Sequence, residues 1–267
     1  HATAAFGLAF LIAPSGWIVR LVAQFAGWDR PPDIAIIHDP WGMALIAGLV
    51  AKEIPFLFLM TLSALPQADT DRTAQVTATL GYGKTAGWFK ATLPRVYPQI
   101  RLPVLAVLAY STSVVDVAII LAPTTPAPLA VRILGWLSDP DLGLRFMASS
   151  AAVLQLVIVM AAMAVWIAGE RIIAALGRYW AEDGYRFKKD AAARGLAATT
   201  ALVAAGAVML GLVVLLVWSV AGFWVFPDLL PRGFSLRLWA RELDAIGSSL
   251  STTLLIGIPA VLVAVTL

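Results

Sequence analysis

Residues 78–85 read ATLGYGKT, and Gly83-Lys84-Thr85 is how a phosphate-binding P-loop ends. Such a loop sits between a buried strand and a helix, where glycine amides and the lysine cradle phosphates. Here Ala78 stands where the strict pattern needs its first glycine, and the preceding QADTDRTAQV is polar, with no strand character. A nucleotide site is therefore not expected at Lys84. Little else could do chemistry. The sequence has no cysteine, which removes thiolate metal sites and disulfides. Its only histidines are His1 and His38. His38, in IIHDPW, reads as a solvated loop residue rather than a metal ligand. No Ser/His/Asp set suggests a membrane enzyme, and no cofactor or metal is expected.

Three charges interrupt apolar runs. Lys52 and Glu53 lie in WGMALIAGLVAKEIPFLFLMTL, and Asp116 lies in AYSTSVVDVAIIL. On a helix starting near Trp41, Lys52 falls about 16 Å along the axis, close to mid-bilayer. A charge facing lipid there costs roughly 3 kcal/mol or more, so these groups should face protein or water. They are candidate pore residues or a structural ion pair, and a Lys52–Asp116 pair is within reach. Pro55 is expected to kink the helix that carries them.

The elements around these residues are membrane spans. The 267 residues are 60% hydrophobic and 13% charged, with mean hydropathy +0.86; soluble domains carry about 25% charged residues. A net charge of +3 does not suggest nucleic acid as a partner. A bilayer crossing needs about 20 apolar residues. The pattern predicts an all-α transmembrane bundle with a stub at 1–13, ended by Pro14-Ser15-Gly16, and spans near 41–64, 102–122, 147–168, 196–222 and 247–267. The chain starts and stops inside apolar runs and reads as part of a longer protein.

Lys and Arg in the loops set orientation. Loops 65–101 and 169–195 hold Arg72, Lys84, Lys90, Arg95, Arg101, Arg171, Arg178, Arg186, Lys188, Lys189 and Arg194. The three opposite loops hold Arg20, Arg30, Arg132, Arg145, Arg232, Arg237 and Arg241. The richer side, 65–101 and 169–195, is expected to be cytoplasmic. Trp17, Trp28, Trp41, Trp136, Trp224 and Trp239 sit near span ends, as an aromatic belt does. PTTPAP, 123–128, opens an outer loop leading to an interfacial helix. Residues 176–195 read as a solvated linker with a helical start.

Loop 65–101 is organised. Asp69 and Asp71 can cap a short helix, TDRTAQVTATL. Gly81 can end it, and Gly83 offers a second flexible point. KTAGWFKAT reads as a second short helix, stopped by Pro94, with Pro98 and Pro103 marking the approach to the next span. Leu80, Trp88, Phe89 and Leu93 could anchor the unit at the membrane surface. Gly83-Lys84-Thr85 is then a turn and a helix start.

The segment QVTATLGYGKTAGWFKATLP resembles the EAA loop of ABC-importer permeases. In that motif a glycine follows the Glu by six residues, and an apolar residue and Leu-Pro follow at fixed spacing. Leu80, Gly81, Trp88, Ala91, Leu93 and Pro94 fall in register, while Gln75-Val76-Thr77 stands where Glu-Ala-Ala is usual. The resemblance implies an all-helical, MetI-like permease in a bacterial inner membrane. It implies that the 71–94 loop docks on a cytoplasmic ABC ATPase subunit, so that ATP hydrolysis belongs to that partner. It also implies a substrate-binding protein on the outer side. Residues 1–175 would be the later part of one permease half, and 196–267 the first spans of a second. The competing reading is an ion-coupled secondary transporter using Glu53 and Asp116.

Overall fold

The computed structural model describes residues 2–184, 186–187 and 190–266. The helices are α1 (Ala2–Ile12), α2 (Trp17–Ala26), α3 (Met43–Ala64), α4 (Thr70–Thr79), α5 (Lys84–Gly87), α6 (Leu93–Ser113), α7 (Asp116–Leu121), α8 (Leu129–Leu137), α9 (Leu144–Glu182), α10 (Ala191–Val220) and α11 (Arg237–Thr266). A 3₁₀ turn, Pro66–Ala68, precedes α4, and a π-helical turn, Trp88–Thr92, joins α5 to α6. Among the described residues the β-structure is one isolated bridge, Ala221 with Phe234. Ala2–Ala26, α3, α9, α10 and α11 are each long and apolar enough to cross a membrane. The chain is an all-α multi-pass membrane bundle.

Several spans differ from expectation. Pro14-Ser15-Gly16 turns the chain without ending the first span, because α2 follows at once and the Arg20 amide bonds back to the Gly16 carbonyl at 3.0 Å. Residues 102–122 are not one helix. α6 starts earlier, at Leu93, and stops at Ser113; Val114 is extended, and α7 begins at Asp116. A helix end leaves carbonyls without partners, and hydrocarbon offers no water to replace them. Gln155, a polar residue in the otherwise apolar middle of α9, donates to the Thr112 carbonyl at 2.9 Å. The Thr112 and Ser113 hydroxyls bond back to the Leu108 and Ala109 carbonyls. The polar STS before the break is thus part of its hydrogen bonding.

α7 lies at the centre of the bundle. Leu121 is 0% and Val117 1% exposed, packed with Leu8 and Leu11 of α1, Ala44 of α3 and Val214 of α10. Gly48 of α3 has no room for a Cβ because the Leu121 side chain lies over it. A second cluster, Ala64, Ala68, Val96 and Ile100, joins the end of α3 to the start of α6. α1 meets α10 at two glycines. A Cβ on Gly7 would lie 2.8 Å from the Gly211 carbonyl carbon, the close backbone approach that small residues permit in membranes. α9, with 39 residues, is about 58 Å long and outruns a hydrocarbon core of about 30 Å. The expected linker 176–195 is therefore helical through Glu182, and α10 takes over at Ala191.

Gly7→Val should overpack the α1–α10 crossing and destabilise the solubilised chain by about 1–3 kcal/mol, read as a lower thermal midpoint. Gly206→Ala, on α10 with nothing within 4 Å of the added methyl, should leave the midpoint unchanged or slightly raised. Equal effects would contradict the close approach.

Candidate functional site

The turn between α4 and α5 is a Schellman motif. The Tyr82 amide reaches back to the Thr77 carbonyl at 3.0 Å and the Gly81 amide to the Ala78 carbonyl at 2.9 Å. Gly81 takes φ +80, the left-handed conformation that a side chain disfavours. Asp69 stands at the N-cap position of α4 but makes no side-chain cap bond; it is itself left-handed, at φ 48 and ψ 48, so the expected cap is absent. Asp71 lies in the first turn. The side of α4 carrying Thr73 and Thr77 faces inward. Arg95 donates to the Thr73 hydroxyl at 2.8 Å, and Gly87 of α5 lies against Thr77 so tightly that a Cβ there would be 2.8 Å from its hydroxyl oxygen. Gln75, Val76 and Leu80 stay exposed, while Trp88, Ala91 and Leu93 are half-buried and Pro94 is exposed.

Pro94 does not stop the second short helix. α5, the π turn and α6 follow one another without a gap from Lys84 to Ser113, and Pro98 and Pro103 lie inside α6. Proline lacks an amide hydrogen and its ring crowds the carbonyl four residues back. The π turn widens the helix just before Pro94, with the Leu93 amide bonding to the Trp88 carbonyl, and this relieves the clash. The same helix is clamped to α9. Tyr97 donates to Glu170 Oε1 at 2.5 Å, Arg101 donates to Glu170 Oε2 at 2.9 Å, and Trp166 Nε1–H donates to the Tyr97 hydroxyl at 2.9 Å. No local pattern signals this clamp, because its partners are about 70 residues apart.

Lys84 and its neighbours answer the P-loop question. The Thr85 amide donates to the Asp190 carboxylate at 2.6 Å, and the Gly83 amide to the Arg186 carbonyl at 2.9 Å. The amides that would face a phosphate in a P-loop face a carboxylate and a carbonyl of this same chain. The expected solvated linker is thus docked in part: Asp190 is 4% exposed. Its Thr85 contact holds the carboxyl below the usual aspartate range, despite the opposing effect of burial. Beside this turn lies an open cleft of about 500 Å³ lined by Arg72, Val76, Leu80, Lys90, Ala91 and Arg95 among others. The Lys90 ammonium lies 4.8 Å from the centroid of the Trp180 ring, at the end of α9.

Lys52 and Glu53 form an ion pair at 2.8 Å, with side chains 7% and 13% exposed. Lys52 Nζ lies 3.3 Å from the centroid of the Tyr110 ring, and Tyr110 donates to Asp116 Oδ1 at 2.8 Å. The expected direct Lys52–Asp116 pair is replaced by this relay, because the adjacent Glu53 takes the ammonium and Tyr110 stands between. Pro55 lies inside α3, which continues past it to Ala64.

At the opposite end of the bundle His38 is not a solvated residue. Its Nδ1 lies 2.6 Å from the Ala122 carbonyl oxygen and its amide donates to the Leu121 carbonyl at 3.2 Å, so it holds the end of α7. Asp39 accepts from the Ala44 and Met43 amides at the start of α3. Arg20 is 2% exposed. It donates to the Ser15, Val225 and Asp228 carbonyls and lies over the Trp224, Phe226 and Trp218 rings. Nothing in WIVRLVAQFA signals that burial, since all its partners but Ser15 are about 200 residues away.

These features define a multi-pass helical membrane protein with an ordered helix–turn–helix at its more basic end. In sequence the chain is similar to the inner membrane ABC transporter permease protein YnjC of Escherichia coli (strain K12), 30% identical over 161 residues. That stretch is 60% of this chain and 30% of the relative, so the match spans under a third of its length. No family model and no solved structure matches.

Asp39 supplies a pH test. The Ala44 amide leads the contacts that hold its carboxyl below the ordinary value. A carboxyl depressed in the folded state contributes stability that is complete above its unfolded pKa of about 3.9 and is lost as pH falls through the folded value. The stability difference between wild type and Asp39→Ala should therefore hold steady from neutral pH to about pH 5 and shrink on further acidification. Unfolding of the solubilised chain checks this, and a difference that grows in acid would contradict it.

Proposed function

We propose that the chain is a membrane-spanning permease part of an ABC importer in a bacterial inner membrane, and that it engages a separate cytoplasmic ATPase through residues 71–94. The observation that carries this reading is the α4–Gly81–α5 turn. It is a helix–glycine–helix turn with exposed Gln75, Val76 and Leu80 on one side and, on the other, a helical run that continues past Pro94 to Ser113. The similarity to an ABC permease supports it. ATP binding and hydrolysis would lie on the partner, since the Gly83 and Thr85 amides are engaged within the chain. The MetI-like assignment, the fusion of two halves on one chain and an outer-side substrate-binding protein belong to the same proposal.

The mechanism follows from continuity. A push on the α4–α5 turn meets a helix that runs from Lys84 to Ser113 and is clamped to α9 at Glu170. It ends at the break beside Asp116, where Tyr110 links to Lys52. Displacement of α6 would reposition Tyr110 against Lys52 and Asp116, and so rearrange the charged groups in the bundle. That Lys52–Glu53–Tyr110–Asp116 relay is also what favours the second reading, an ion-coupled transporter.

Gly81→Leu forces a left-handed leucine at a cost of about 1–3 kcal/mol. Membrane insertion should persist, while association with the ATPase and substrate-stimulated ATP turnover should fall. Lys84→Ala should change both little. Proteoliposomes holding the full-length chain, its ATPase and its binding protein check this. Uptake driven by a proton or sodium gradient without ATP would favour the second reading, and nucleotide binding by the isolated chain that Lys84→Ala abolishes would overturn the first.

A further inference from the structure

Arg186, Phe187 and Asp190, between α9 and α10, close on the α4–α5 turn through contacts of different kinds. The Gly83 amide donates to the Arg186 carbonyl at 2.9 Å, and the Thr85 amide to Asp190 Oδ2 at 2.6 Å. The backbone of Gly83 lies so close to the Phe187 carbonyl oxygen that a Cβ could not be accommodated. Asp190 is 4% exposed, and its Oδ1 pairs with Arg194 at 3.2 Å. A buried carboxylate is tolerated when its oxygens are bonded. Here one oxygen is held by the turn and the other by the first turn of α10, which Asp190 itself precedes.

We propose that Asp190 is a positioning residue for ATPase coupling, holding the α4–α5 turn in the geometry its partner reads and tying that turn to the base of α10. This rests on the permease reading above. The geometry makes the consequence specific. The turn presents Gly81 and the exposed Leu80, so an orientation fixed at Thr85 is an orientation fixed for the docking surface four residues away. The bond also joins two parts of the chain 105 residues apart. A stroke delivered to the turn is therefore delivered to α10 as well as to α6. α10 carries it to α1, where Gly211 meets Gly7.

The test uses the full-length chain in lipid nanodiscs and in proteoliposomes with the ATPase that co-purifies with it. Amide hydrogen exchange across 82–88 reports the turn, and ATP hydrolysed per substrate moved reports coupling. Asp190→Ala should speed exchange at Thr85 about tenfold, as loss of a charge-assisted hydrogen bond does, and should raise the ATP used per substrate several-fold. Asp190→Asn keeps an acceptor oxygen and should restore most of both. Gly83→Ala would crowd the Phe187 carbonyl and come within 3.2 Å of Asp190 Oδ2, so it should disturb the same contact and act in the same direction. Arg194→Ala, which leaves the Thr85 bond in place, should leave exchange at Thr85 within about twofold of wild type. Exchange that is unchanged in Asp190→Ala overturns the proposal, as does faster exchange with an unaltered coupling ratio. If the wild-type chain binds no ATPase while Asp190→Ala still loosens the turn, the permease reading falls and the coupling role with it, a result distinct from loss of the contact itself.

Discussion

A backbone carbonyl freed inside a membrane has no water to bond, and the break between α6 and α7 is where this chain meets that constraint. The helix stops at Ser113 and restarts at Asp116 in the middle of the bundle. Everything nearby answers to it. Gln155 crosses from α9 to the Thr112 carbonyl. Thr112 and Ser113 fold their hydroxyls back onto the preceding turn. α7, released from the line of α6, buries Val117, Ala118 and Leu121, with Leu121 seated over Gly48. Its far end is held by His38. The break also places Asp116 at the start of a helix, where a carboxylate is favoured by the aligned peptide dipoles. Tyr110, one turn before the break, can then bridge to it.

Two ends of the bundle are locked in different ways. At one end a buried arginine collects three backbone carbonyls and three aromatic rings, drawing α2 onto the loop after α10. At the other, hydrogen bonds from Gly83 and Thr85 hold Arg186 and Asp190, and Tyr97 and Arg101 hold α9 itself. The first lock is desolvated and aromatic; the second is a set of directional polar contacts near the basic surface. On the permease reading, the directional end is the one that must change shape, and polar contacts can exchange partners more readily than a packed aromatic cage.

Much of this was legible in the sequence. Apolar runs of membrane length give the bundle, and the assignment of loops to sides agrees with the contacts: Arg20 meets Val225 and Asp228, His38 meets Leu121 and Ala122, Gly83 meets Arg186 and Thr85 meets Asp190. Gly81 at the end of a polar helix was readable because only a glycine-like conformation closes a Schellman turn. Other features were not readable from local pattern. Proline usually ends a helix, so Pro94 read as a stop; the π turn that accommodates it has no sequence signature. The span at 102–122 read as one helix because its apolar run is continuous, whereas the break depends on Gln155 forty residues on. Lys52 seemed to call for Asp116, but the nearest carboxylate was its own neighbour, Glu53. Asp190 lies in the stretch 176–195 that reads as a solvated linker, and its contact depends on the Thr85 amide about a hundred residues earlier.

The central claim is that the α4–α5 turn is the surface an ATPase subunit meets. A single cysteine at Leu80 in the full-length chain, with any other cysteine replaced by serine, can be reacted with a short bifunctional cross-linker in membranes that also hold the co-expressed ATPase. The same cysteine at Trp41, at the other end of α3, serves as the control. The account predicts a permease–ATPase product from position 80, weakened when Gly81 is also replaced by leucine, and none from position 41. A product from position 41 with none from position 80 would contradict it.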